Sequence, residues 1–205
     1  MVAAKSRRLG SRREALLRAA GELFFEQGYA ATSIDAIIER AGGSKRNIYS
    51  EFGNKEGLFI ALVTESANKA ILSLEVDEIE SHDLRATLTA FGRLLMGVYM
   101  SPAVVGIYRI AVTEANRFPD LVRSFYEQGP GRTEIRLAEV LEAAQKKGEI
   151  RTDDCLRAAG HLVGMLRDNL HLQIVLGLRP APSEDEKREA VASAVEIFLN
   201  GVRAR

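Results

Sequence analysis

The sequence predicts an all-α protein, built as a small N-terminal head of three helices and a larger C-terminal helical domain. Three observations carry that prediction. Apolar residues recur three or four positions apart along most of the 205 residues, and no stretch shows the alternation of a half-buried strand. The composition, 46% hydrophobic with five prolines, no tryptophan and few β-branched runs, suits a globular and mostly helical chain. Breaks at Gly42-Gly43, Ser101-Pro102, Gly129-Pro130-Gly131 and Gly148 cut the periodic segments into helix-sized pieces. A chain of this length can bury a good core in one or two domains, and the pattern favours two.

Residues 1–12 carry Lys5, Arg7, Arg8 and Arg12, with no acid before Glu14 and no apolar periodicity. Such a segment is expected to be disordered alone. It is either a basic arm that lies along phosphates or enters a minor groove, or a solubilising tail. The head, 13–54, opens on an apolar helix, REALLRAAGELFFEQGYAATS. The next helix starts after Thr32 or Ser33, either of which can accept a backbone N–H bond as its cap, and Ile34, Ile37, Ile38 and Ala41 put one face inside. Gly42 and Gly43 stop it, because glycine reaches positive φ without a Cβ clash. Ser44 then caps a third helix. At about 100° per residue Ile48 and Phe52 face inward, Arg46, Asn47 and Ser50 point outward, and Lys45 and Tyr49 lie on the flanks. Two short helices around a glycine turn, the second presenting guanidinium and amide groups, fit a DNA major groove. There arginine and asparagine pair bidentately with guanine and adenine edges.

The stretch from Thr32 to Phe59, TSIDAIIERAGGSKRNIYSEFGNKEGLF, resembles the helix-turn-helix of the tetracycline-repressor (TetR) family of bacterial regulators. The flanks match too, with the apolar helix in front and FGNKEGLF behind lying where that family places its first and fourth helices. The likeness therefore runs from Arg13 to Val63. It implies that Lys45, Arg46 and Asn47 meet bases, and that Thr32, Ser33, Ser44, Tyr49 and Lys55 hold phosphates through hydroxyls, ammonium and helix N-terminal N–H groups. Thr32, Ser33 and Ser44 would be plain helix caps in any protein, and a solvated helix face is the alternative for Arg46 and Asn47. Two positions depart from the family pattern. Gly43 stands where valine is most common, which removes buried methyls from the turn, and Arg46 stands where a small residue is common, which adds a long donor to the reading face.

Residues 55–205 read as a run of further helices. One extends from Lys55 to about Leu74, and Glu75 to Asp83 is acidic and breaks the periodicity. Leu84 to Met100 and Ala103 to Asn116 follow, divided by Ser101-Pro102, which ends one helix and suits the first turn of the other. Both are apolar on much of their circumference, hence buried at the centre of the domain. Phe118 to Gln128 is a short amphipathic helix, Gly129-Pro130-Gly131 a turn, and Thr133 to Lys147 another helix. From Asp153 to Leu176, Ala159, Val163, Leu166, Leu170 and Ile174 form one apolar stripe, with Leu162, Met165, Leu172 and Val175 beside it. A stripe that wide needs two partners, the domain's own core and a second subunit. The expected dimer contact joins Leu162, Val163, Leu166, Leu170 and Ile174 to Val191, Val195 and Phe198 of the last helix, Glu184 to Val202, in a four-helix arrangement. TetR-like proteins dimerise through their last two long helices. The segments YRIAVTEANRFPDLVRSFYEQGP, GEIRTDD and LRDNLHLQIVLGLRPAPSEDE also resemble one recurrent C-terminal type of that family, which implies a ligand-sensing and dimerising domain.

Gly92, Gly97 and Gly106 lie on the buried helices, where glycine either allows close helix approach or leaves space. In the second case Met96, Tyr99, Met100 and Tyr108 line a ligand pocket, with Arg109, Glu114 and Asn116 the nearest polar groups. In the first they belong to a filled core, with Arg109 paired to a local acid. His161 and His171 are ten residues apart, about 80° off a common helix face, and His82 lies in a linker, so no metal site is expected. Arg167, Asp168 and Asn169 interrupt an otherwise apolar helix, as a polar cluster that fixes dimer register or touches a ligand.

Basic and acidic residues balance at 28 each, but unevenly along the chain. Through Ile60 ten basic residues face seven acidic ones, and the remainder holds eighteen against twenty-one. The positive end is the DNA-like end. The single Cys155 rules out an internal disulfide framework and points to a reducing compartment. No apolar stretch follows the N-terminal basic residues as in a signal peptide, and the longest charge-free run, Leu94 to Tyr108, is too short to span a bilayer. A cytoplasmic protein with no membrane partner is expected. No Ser/His/Asp or Cys/His arrangement, GxxxxGK[ST] loop or paired ligand spacing appears, so neither catalysis nor a cofactor is expected.

The resemblance and the residues together lead to the expectation of a TetR-like transcriptional regulator, a repressor by the family's habit. It would bind a pseudo-palindromic double-stranded DNA operator as a homodimer and be released by a small-molecule effector. A dimeric DNA-binding regulator without an effector differs only in the pocket. An all-helical enzyme accounts for the buried helices alone.

Overall fold

The computed structural model describes residues 2–71 and 83–202, with side chains over 12–68 and 83–202. These residues form ten helices: α1 (Val2–Gln27), α2 (Ile34–Ala41), α3 (Lys45–Phe52), α4 (Lys55–Ile71), α5 (Leu84–Tyr99), α6 (Pro102–Thr113), α7 (Pro119–Gln128), α8 (Pro130–Lys146), α9 (Cys155–Val175) and α10 (Glu184–Val202). No β-strand occurs among the described residues, and no single helix there is long and apolar enough to cross a membrane.

The chain divides into two compact units, one of Met1–Glu65 with Gly106–Phe125 and the other of Ser66–Val105 with Tyr126–Arg205. This differs from the expected break between 54 and 55. The reason is apolar packing: Leu58 and Phe59 are fully buried in one core with Leu16, Phe24, Ile37 and Ile48, and Ile107, Ile110 and Leu121 join it. The rings of Phe24, Tyr29, Phe59 and Phe118 meet in that core with centroids 5.2 to 6.0 Å apart.

Segment 1–12, expected to be disordered, is instead helical from Val2 onward. No proline lies between Val2 and Gln27, and once packing has nucleated the later turns, each residue added to the helix needs only one further backbone bond. The side chains of Lys5, Arg7 and Arg8 lie outside the described residues, as does most of the acidic stretch Glu75 to Asp83.

Helix boundaries in the head follow from local chemistry. Ser33, not Thr32, caps α2, its hydroxyl accepting the Ala36 N–H at 3.1 Å. After α3, Gly53 adopts φ +76°, and the Asn54 side chain accepts the Gly57 N–H at 2.8 Å to start α4. Gly57 has no room for a side chain, because a Cβ there would sit on the Phe52 carbonyl oxygen. The FGNKEG motif is thus a record of backbone geometry.

In the second unit α5, α8, α9 and α10 enclose a core that includes Phe91, Leu95, Met96, Leu141, Leu162, Leu166, Val191 and Phe198. Gly92 allows close approach: a Cβ on it would lie 2.8 Å from Val191 and 3.1 Å from Leu166. Asp83 and Asp154 cap α5 and α9 by accepting the N–H groups of Arg85 and Arg157. Pro130, expected in a turn, opens α8, as its fixed φ and missing N–H allow in a first turn. Inside α9, Asp168 takes a non-helical φ of 41° and ψ of −167°, at the polar cluster that interrupts the helix in sequence.

Candidate functional site

Helix α3 hides a single residue, Ile48. Side chains of α1 and α2 hold it. The Arg13 guanidinium of α1 stacks 5.0 Å from the centroid of Phe52 and pairs with Glu51 at 3.3 Å and with Glu65 of α4 at 2.8 Å. Arg40 of α2 pairs with Glu26 of α1 at 2.8 Å. Around this frame the outer face of α3 carries exposed Arg46, partly buried Asn47 and half-exposed Tyr49. The Ser50 hydroxyl is turned back, donating to the Asn47 carbonyl at 3.1 Å. Lys45 pairs with Asp35 of α2 at 2.9 Å, and that hydrogen bond holds its ammonium above the ordinary lysine pKa. Ser44 occupies the cap position of α3 but makes no side-chain capping bond, so its hydroxyl has no part in starting the helix. The result is a short, clamped helix with a guanidinium and an amide turned away from the core, which is what base-edge reading requires.

Two expected phosphate contacts are corrected by the structure. Thr32 is buried, and its hydroxyl donates to the Gly28 carbonyl at 2.8 Å and the Leu23 carbonyl at 3.2 Å, closing the end of α1. Lys55 is also turned inward. Its Nζ donates to the carbonyls of Tyr29 at 2.8 Å, Thr32 at 2.9 Å and Ala30 at 3.4 Å, and sits 4.4 Å from the centroid of the Tyr29 ring. Burial lowers its pKa, the Glu114 charge opposes that shift, and Arg117 adds to it. The same burial, with Glu56 and Glu114 nearby, pushes the Tyr29 hydroxyl up to about 12. Both side chains fasten the loop between α1 and α2, a use of polar groups that a motif comparison does not distinguish from phosphate binding.

Gly43 also differs from expectation. The position is exposed and has φ +123°, so no buried slot exists there for the methyls of a valine. Its open side is flanked by Arg12: a Cβ on Gly43 would lie 3.2 Å from an Nη and 3.6 Å from the Nε of that residue, and 3.6 Å from Nδ2 of Asn47. The structure thus brings Arg12 to the turn.

The expected dimer stripe faces inward. Leu162, Val163, Leu166, Ile174, Val191, Val195 and Phe198 are all buried in the core of the single chain, with Leu170 partly buried against it. The reason is that α5 and α8, packed on the same side, take the wider stripe for themselves. Exposed on the remaining faces are Met165 and Leu172 of α9 and Ile197 of α10. Met165 and Ile197 also line a shallow groove of about 320 Å³ with Ala190 and Ser193. The second apolar stripe on α9 was the sequence signal for this face; Ile197 carried none.

The six expected pocket residues do not gather in one unit. Met96, Tyr99 and Met100 fill the core of the second unit, while Tyr108, Arg109 and Glu114 belong to the first. There Tyr108 packs 6.2 Å from the Phe125 ring, and Arg109 lies over Phe25, the ring that also crowds Gly106. Gly92 and Gly106 admit neighbouring side chains rather than leaving space, and Gly97 is exposed.

Residues 16–62 match the family model for bacterial regulatory proteins of the tetR family, and residues 86–201 match that for the C-terminal domain of AefR-like transcriptional repressors. An HTH-type transcriptional regulator of Bacillus subtilis (strain 168), YvkB, is 26% identical over 189 residues, covering 92% of this chain and 96% of its own. Among solved structures, a TetR-family transcriptional regulator from Mesorhizobium loti superposes with a TM-score of 0.80 at 28% identity, covering 96% of this chain and 99% of that one. The flavonoid-responsive regulator FrrA superposes with a TM-score of 0.74 at 35% identity, with the same coverage.

Proposed function

Because this chain belongs to the TetR family of bacterial transcriptional regulators, we propose that it is a repressor acting on DNA in the cytoplasm, binding a pseudo-palindromic operator as a homodimer and leaving it when a small molecule binds. The observation that carries this reading is α3, clamped by Arg13 and presenting Arg46 and Asn47 outward. Arg46 and Asn47 read bases, Lys45 assists from the flank, and Ser33, Ser44 and Tyr49 meet the backbone. Arg7 and Arg8 follow the backbone from the N-terminal segment.

The second copy docks on the exposed face of α9 and α10, around Met165 and Ile197, where apolar side chains border a groove without being covered by their own chain. Pairing there sets two reading helices about one DNA turn, roughly 34 Å, apart. Release follows if the effector binds a state in which that spacing is lost more tightly than the spaced one; equal affinity would shift nothing. The name of FrrA, a flavonoid-responsive regulator 35% identical to this chain, supports an effector.

The test begins with duplexes selected from a random pool by the wild-type protein. On the selected sequence, Arg46→Ala and Asn47→Ala should each weaken binding by about 1 to 3 kcal/mol and relax base preference at one position. A double variant that binds the selected duplex as tightly as wild type would sink the assignment of α3.

A further inference from the structure

We propose that Gly43 is a positioning residue: its missing side chain seats the Arg12 guanidinium against the turn before α3, where Arg12 holds one DNA phosphate beside the base-reading Asn47. The inference rests on the DNA-binding reading above. Gly43 is exposed, yet a Cβ added to it would lie within 3.2 Å of the Arg12 guanidinium and 3.6 Å from the Asn47 amide nitrogen. Two side chains from different helices therefore flank one bare Cα. Arg12 Nη and Nε are donors only, so what meets them must be an acceptor, and a phosphate oxygen suits a guanidinium best.

The charges of the head point the same way. Arg13 is paired to Glu51 and Glu65, Arg40 to Glu26, Lys45 to Asp35, and Lys55 is surrounded by carbonyls. No carboxylate among the described residues pairs with Arg12, which is exposed beside the reading helix. Its guanidinium is therefore free to meet a DNA phosphate. Arg12 stands on α1, off the reading helix, so it anchors the strand that borders the groove while Arg46 and Asn47 face the bases. A valine at 43 would meet the guanidinium and would also have to adopt φ +123°, a conformation that side chains with a Cβ rarely take.

The test uses the full-length protein and the duplex selected by wild type, with binding measured across a salt titration and folding followed by thermal unfolding. Arg12→Ala should lose roughly tenfold in affinity on selected and unselected duplexes alike and lower the salt slope by about one. Gly43→Val should show the same loss and slope, and adding Arg12→Ala to it should change nothing further. If Gly43→Val does not fold, Arg12→Ala decides alone. Unchanged affinity and slope in Arg12→Ala, or losses in the two variants that multiply when combined, would overturn the seat while leaving the DNA reading intact. A wild-type protein that enriches no duplex would instead overturn the DNA reading, and this inference with it.

Discussion

Helices α3 and α9 place their polar and apolar residues in opposite ways. The first buries Ile48 alone and turns Arg46 and Tyr49 to solvent with Asn47 partly buried between them, whereas the second buries eight residues, including His171, and turns Met165 and Leu172 outward. On α3 one apolar pair, Ile48 and Phe52, sets which way the helix faces, and everything else is surface by geometry. On α9 apolar residues occupy most of the circumference, so periodicity cannot say which stripe belongs to the chain's own core and which awaits a partner. An isolated polar face is readable from spacing; a choice between two apolar faces depends on what packs against them.

Adjacent residues on α9 offer the sharpest way to break that comparison. Leu166 is fully buried against Gly92, and truncation to alanine should cost about 3 kcal/mol, seen as a lower urea midpoint of a protein whose assembly is otherwise intact. Met165 is 38% exposed, and Met165→Glu should leave a folded chain that sediments as a monomer. The reverse pattern, with Leu166→Ala giving a folded monomer and Met165→Glu a normal dimer, would restore the stripe first expected from the sequence.

The polar residue that α9 buries predicts a pH dependence that nothing on α3 shares. His171 packs with its ring 5.8 Å from that of Tyr99, and burial, then the Arg167 charge, pushes its pKa down to about 4. An unfolded histidine titrates near 6.5. Between about pH 6.5 and pH 4 the unfolded chain therefore takes up a proton that the folded one does not. Stability present at neutral pH should fall through that window as acid is added, by up to about 3 kcal/mol. His171→Asn should flatten the dependence in urea unfolding at pH 7, 5.5 and 4.5. A slope of the same size in the variant would mean that another group titrates.

Much of the head was legible for identifiable reasons. Gly42-Gly43 mark a backbone turn whatever the tertiary context, and the Ile37 and Ile48 positions follow from helical spacing. What spacing could not supply was the destination of side chains that reach beyond their own helix. Thr32 and Lys55 have residue types suited to phosphate, but burial on Gly28 and Tyr29 carbonyls is decided by a loop more than twenty residues from Lys55. Ile107 and Ile110 lie on a helix expected at the centre of the C-terminal domain and are core, yet of the first unit, because no local signal says which of two hydrophobic clusters a helix joins. Met96 and Met100, expected to line a pocket, lie in the packed core of the second unit, and at Gly92 Val191 fills the space that a missing side chain would leave.

Lys55 gives the smallest effect and the finest distinction, since the two readings of it differ in what is measured more than in how much. Held by three backbone carbonyls and by the Tyr29 ring, its ammonium supports the entry to α2, so Lys55→Met should keep the aliphatic stem and lose about 1 to 2 kcal/mol of stability. Because those carbonyls occupy its donors, the salt slope of DNA binding should match that of wild type once the folded fraction is taken into account. A phosphate contact predicts the other pattern: a slope lower by about one and an unchanged unfolding midpoint. That outcome would mean the ammonium leaves Tyr29 and Thr32 for the duplex, and that the loop between α1 and α2 is held together by Thr32 and the aromatic rings alone.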